Sequence, residues 1–115
     1  MTVSFGGSMY KFVFYAPKNS CEKIKNSVFE TGAGKLGNYE QCAFEISGIG
    51  QFKPAPGAEP AIGKVGELEK VEEVRVEILC TEENIRSAVR AMIKAHPYEV
   101  PAYEILKVEN NKFLP

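Results

Sequence analysis

VEEVRVEILC, Val71 to Cys80, sets Val74, Val76, Ile78 and Cys80 on one face of an extended chain and Arg75 and Glu77 on the other. A half-buried antiparallel strand produces that alternation. A helix is expected directly after it. Thr81 is placed to cap it, Glu82 and Glu83 suit the positive end of its dipole, and Ile85, Ala88, Val89, Met92 and Ile93 make a buried stripe. Pro97 disfavours the α conformation in the residue before it, so the helix stops near His96. Ala102 to Val108 (AYEILKV) then reads as a final strand.

On the other side of Val71 lies a stretch too long for a hairpin turn, Gly48 to Gly66 (GIGQFKPAPGAEPAIGKVG). Its glycines permit backbone angles that a side chain forbids, and Pro54, Pro56 and Pro60 each fix one φ. With few charges and an aromatic at Phe52, it is expected to be an ordered loop that closes over something. Gln41 to Ser47 (QCAFEIS) precedes it as a strand, with Cys42, Phe44 and Ile46 alternating against polar residues. Further upstream, Asn19 or Ser20 is placed to cap a helix with Cys21, Ile24, Val28 and Phe29 on one face, ended by Gly32 and Gly34. Met9 to Tyr15 (MYKFVFY) reads as the first strand.

The order is βαββαβ. Two helical crossovers flanking a central hairpin make an α+β, ferredoxin-like domain: a four-stranded antiparallel sheet with both helices on one face. The other face and the edge strands then need cover, and self-association supplies it economically. The domain is expected over 9–108, with a flexible leader at 1–8 and a tail at 109–115.

Composition excludes several classes of function. The 115 residues carry 14 basic and 15 acidic side chains, so a net charge of −1 gives no electrostatic case for nucleic acid or an anionic membrane. No apolar run is long enough to span a bilayer, and the start lacks a secretory pattern. Cys21, Cys42 and Cys80 form no C-x-x-C pair and are expected to be reduced core thiols in a cytoplasmic protein.

Candidate site residues fall in three groups. Gly48-x-Gly50 followed by Phe52-Lys53-Pro54 can cradle a phosphate through backbone N–H groups and Lys53, although it lacks the ending of a P-loop. Gly57, Gly63 and Gly66 continue that loop. Arg75 can bind an anion with Glu77 orienting it, or the two can be a structural ion pair. His96 has three roles open: a structural histidine at a helix end, a ligand contact, or a metal ligand together with Glu99. Tyr98 and Tyr103 either line a cleft or pack in the sheet. No nucleophile has a partner base independent of His96, so an enzyme acting alone is not expected, and no motif requires a cofactor.

GAGKLGNYEQCAF (Gly32 to Phe44), GIGQFKPAPGAEPAIGKVGELEKVEEVRVE (Gly48 to Glu77) and AHPYEVPAYEI (Ala95 to Ile105) resemble the PII/CutA-like domain inserted in NIF-three-like (YqfO-type) dinuclear-metal proteins, and standalone relatives of that insert. The resemblance covers nearly all of Met9 to Val108. It implies a ferredoxin-like fold, a homotrimer, and effector binding in clefts near the base of the long loop, with a small molecule or a protein as partner. The implied function is a non-enzymatic binding or regulatory module. The alternatives are a CutA-like divalent or copper metal-binding protein, with Cys42 joining His96 and Glu99 across subunits, and a structural assembly unit without a ligand. The separate metal domain of the longer proteins holds its metals through several histidines, and with His96 as their one histidine these 115 residues are not expected to contain it.

Overall fold

Four strands and two helices follow one another in a computed structural model that describes residues 7–113. They are β1 (Met9–Pro17), α1 (Cys21–Phe29), β2 (Phe44–Phe52), β3 (Glu69–Thr81), α2 (Ile85–Ala95) and β4 (Tyr103–Val108). The sheet order is β2-β3-β1-β4, with every neighbouring pair antiparallel. This is the ferredoxin-like arrangement expected from the element order.

The alternation in VEEVRVEILC decides which face receives the helices. Val74, Val76, Ile78 and Cys80 are buried, beside Phe12, Phe14 and Ala16 of β1, and α1 and α2 supply Ile24, Val28, Ala88 and Met92 to the same core. The register pairs Phe12 with Ile78 and Phe14 with Val76, so the even-numbered residues of both strands share one face. The odd-numbered ones face away from the helices, where Val13 is nonetheless fully buried.

Several local expectations are corrected. β2 begins at Phe44, not Gln41, because the chain before it is held elsewhere: Gln41 takes a positive φ of 58° and the Cys42 N–H donates to the Gly34 carbonyl at 2.9 Å. The strand then runs on through Gly48 and Gly50, which pair with Glu73 and Val71. The glycines that suggested loop are thus ladder positions, and the true connection is 53–68. Phe44 and Ile46 pair with Glu77 and Arg75 and so lie on the helix-free face, where they remain 64% and 47% exposed.

Neither helix has a side-chain cap. Thr81 is the last residue of β3 and accepts only a backbone bond from Asn84, and the Glu82 N–H is drawn to the carbonyl of Ser8 at 3.1 Å. Glu82 and Glu83 therefore precede the first turn of α2. Ser20 donates to Asn19 Oδ1 instead of receiving a helix N–H, after a 3-10 turn over Lys18–Ser20. Ile93 is exposed and leaves the expected stripe, and Cys42 is only half-buried, whereas Cys21 and Cys80 are core thiols. The expected leader falls mostly on residues 1–6, outside the described residues, but Ser8 is tied to β3 through Glu82. The tail forms a 3-10 turn over Asn110–Phe113.

Among the described residues no helix is long and apolar enough to cross a membrane.

Candidate functional site

At one end of the sheet, on the face without helices, the ends of β1 and β2 meet the start of β3. The loop 53–68 and the segment that leads from α2 into β4 complete the enclosure. Between them lies a cavity of about 410 Å³ walled by Tyr15, Gly50, Gln51, Phe52, Pro54, Ala58, Pro60, Ala61, Ile62, Glu73, Tyr98, Glu99, Val100 and Ala102. Most of that wall is apolar or aromatic, as small-molecule sites are.

The segment after α2 is held by His96. Pro97 forces His96 out of the helix into an extended conformation (φ −76°, ψ 135°), which turns its ring back towards β1. There Nε2 donates to the Tyr15 carbonyl at 2.7 Å and Nδ1 accepts the Tyr98 backbone N–H at 3.1 Å. The ring is 7% exposed and carries its hydrogen on Nε2, because Nδ1 is the acceptor. Both nitrogens are used, so metal ligation by His96 requires breaking one of these bonds. Among the described residues no group of three or more His, Cys, Asp or Glu is arranged to hold a metal ion.

Tyr98 stands on this base. Its ring lies against His96 (4.8 Å between centroids) and edge-on to Phe52 (5.9 Å), and its hydroxyl donates to Glu73 Oε2 at 2.7 Å. Gly50 makes that bond possible: a Cβ at this position would overlap the Glu73 carboxylate, which crosses directly above it. The loop is fastened at its own base by the Gly66 N–H bonded to the Pro54 carbonyl at 2.8 Å. It is fastened across the cavity by the Glu59 N–H donating to Glu99 Oε1 at 3.0 Å. Gly57, Gly63 and Gly66 turn the loop with φ of 97°, 88° and 84°.

Burial, followed by the bond to Glu73, pushes the Tyr98 phenol above its ordinary range. The Tyr15 phenol is also raised, chiefly by its 2.6 Å hydrogen bond to Glu104 and then by burial. In the folded chain these groups keep protons that the unfolded chain releases at the ordinary phenol range, about pH 10. The stability they contribute is therefore complete below pH 10 and is expected to decline as pH rises beyond it. Glu73→Gln should move the Tyr98 titration back towards the ordinary range, with burial keeping it above. A phenolate absorbance titration of the variant checks this; an unchanged Tyr98 transition would sever the link to Glu73.

Of the residues singled out from sequence, Gly50, Phe52, Tyr98 and Glu99 come together in the wall, with His96 buried behind them. Gly48 pairs with Glu73 but lies outside the wall, and the exposed Lys53 does not line it. Arg75 and Glu77 sit further along the same face, outside the cavity wall, joined to each other at 3.0 Å and to Lys11 through Glu77 at 3.4 Å. Tyr103 packs edge-on against Phe12 on the helix side. Tyr15 and Glu73 were not foreseen. Both occupy odd positions of alternating strands, which placed them on the helix-free face but not in a site.

No family model matches the chain. It is 48% identical over 99 residues to the "GTP cyclohydrolase 1 type 2 homolog" of Bacillus subtilis, covering 86% of this chain and 26% of that protein. The crystal structure of a Bacillus cereus protein related to NIF3 superposes with a TM-score of 0.79 at 34% identity, over 96% of this chain and 28% of that one. CutA from Xylella fastidiosa matches at a TM-score of 0.63 and 18% identity, over 88% and 84% of the two chains, a likeness of fold alone. The chain thus spans between a quarter and a third of the length of the curated relatives it matches, 28% and 26% for two of them.

Proposed function

We propose that this chain, a relative of the PII/CutA-like domain of the NIF-three-like proteins, works as a non-enzymatic binding module whose ligand occupies the cavity under the loop 53–68. The observation that carries this is the way four separate elements are bonded together around one cavity. His96 fixes the segment 96–102 to β1, Tyr98 fixes it to β3 through Glu73, and Glu99 fixes it to the loop. A ligand there touches all of these at once, so its binding can be read at the loop.

The chemistry of the side chains favours binding over catalysis. His96 has no free ring nitrogen to act as a base. Burial pushes the Cys80 thiol up to about 12 and raises Cys21 as well, so neither is a ready nucleophile. The cyclohydrolase name of the relatives belongs to proteins several times longer.

Self-association is part of the proposal. Phe44, Ile46 and Leu106, all on the helix-free face, are 64%, 47% and 48% exposed, an apolar presence that a second copy can cover. Light scattering on a sizing column should return a multiple of the chain mass.

A fragment screen read by backbone amide shifts tests the site. Hits are expected to move the amides of Gly50 to Phe52 and of Tyr98 to Ala102 in the same titration. Hits confined to other surfaces, or none across a broad set, would overturn the assignment of the cavity.

A further inference from the structure

The cavity is one-sided in charge. Glu73 and Glu99 stand in its wall, and no lysine, arginine or histidine side chain lines it. Among the described residues the ion pairs join Lys11 and Arg75 to Glu77 and Lys25 to Glu22 and Glu45, and none reaches Glu73 or Glu99. Each of the two has one oxygen held by a neutral donor: the Tyr98 hydroxyl on Glu73, the Glu59 backbone N–H on Glu99. Neutral donors orient a carboxylate without cancelling its charge. Glu73 is half-buried at the floor, where screening by water is reduced, and Glu99 is exposed at the rim.

The remaining wall sharpens the preference. The rings of Tyr15, Phe52 and Tyr98 and the aliphatic surface of Pro54 and Ile62 suit an apolar body. Aromatic faces attract cations and repel anions. A phosphate entering here meets two carboxylates and no basic side chain in the wall, since Arg75, 6.0 Å from the Tyr15 ring centroid, is bonded to Glu77, and its desolvation brings no return. A cation with an apolar body suits the rings and meets a carboxylate in the same wall.

We infer that this cavity accepts a small organic cation, an amine or guanidinium carried on an apolar or aromatic body, and rejects phosphorylated anions. The inference rests on the cavity being the ligand site proposed above, and adds the charge and class of what enters it.

Three probes of matched shape separate the possibilities: phenethylammonium, phenethyl alcohol and 3-phenylpropionate, each titrated into the full chain at low and high salt and read by amide shifts. The ammonium should bind about tenfold more tightly than the alcohol, weaken with salt, and shift Gly50 to Phe52 and Tyr98 to Ala102. Phenylpropionate should leave those amides unmoved, and so should adenosine triphosphate added as a fourth probe. Glu73→Gln and Glu99→Gln keep an acceptor for Tyr98 and Glu59 while removing the charge. Combined, they should abolish the preference for ammonium over alcohol, with melting temperature confirming that the variant is folded. Alcohol or carboxylate binding at the same amides as tightly as the ammonium overturns the charge inference and leaves the cavity as the ligand site. So does an unchanged preference in the double variant. Failure of all the probes to move these amides overturns the inference and the cavity assignment together.

Discussion

Phe12→Ala should remove about 3–5 kcal/mol of stability, the usual cost of deleting a fully enclosed aromatic side chain. Phe12 is 0% exposed on the central strand β1, with Phe14 at 5.3 Å and Tyr103 edge-on at 6.1 Å. It is paired with Ile78 on β3 and with Ile105 on β4, so the hole opens beneath both neighbouring strands. Domains of this size are stable by about 5–15 kcal/mol, so the loss takes a large fraction of the whole. The same strand carries Tyr15, which walls the cavity and accepts the His96 hydrogen bond. Urea unfolding followed by circular dichroism gives the difference directly; a loss below about 1 kcal/mol would mean that the core is not packed as described.

His96→Ala should cost about 2–4 kcal/mol, because it leaves the Tyr15 carbonyl and the Tyr98 N–H without partners and opens a void where the ring stood. The penalty is local in origin, and so is its second consequence. Without the imidazole, Tyr98 loses both its backbone acceptor and the ring it leans on, and the cavity floor is no longer held. Binding of any cavity ligand should therefore fall more than global stability alone explains. Comparing the chemical denaturation midpoint with amide exchange rates across Tyr98 to Ala102 separates the two effects. Unchanged protection in that segment would show that the histidine does not anchor it.

Much of the architecture was legible because it rests on period. The two-residue alternation of Val74, Val76, Ile78 and Cys80 forces one strand face inward, and Ala88 and Met92 are one helical turn apart. Pro97 ends α2 by a steric rule that needs no tertiary context. The errors arose where local chemistry competed with pairing. Gly48 and Gly50 look like loop because glycine is a poor strand former, yet β3 offers them a ladder. Thr81 looks like a cap, yet it is retained by β3, whose ladder reaches Met9. Ile46 alternates like a core residue, yet it stays exposed because nothing packs on that side of β2 in one chain.

The candidate site was only half legible for a related reason. Tyr98, Glu99, Phe52 and Gly50 stood out as unusual residues near turns. Their partners did not, since Glu73 is one of several glutamates in an alternating strand and Tyr15 one aromatic among many. The sequence by itself determined the element order, the inward face of β3 and the stop before Pro97, because these follow from backbone sterics and periodicity within a few residues. Only the tertiary structure decided that His96 spends both nitrogens on the main chain, that Gly50 yields its space to Glu73, and that two carboxylates stand in the wall of an aromatic cavity that no basic side chain lines. Those outcomes depend on which residues far apart in the chain are brought within hydrogen-bonding distance, 81 positions apart for Tyr15 and His96 and 25 for Glu73 and Tyr98, and no local pattern encodes such a distance.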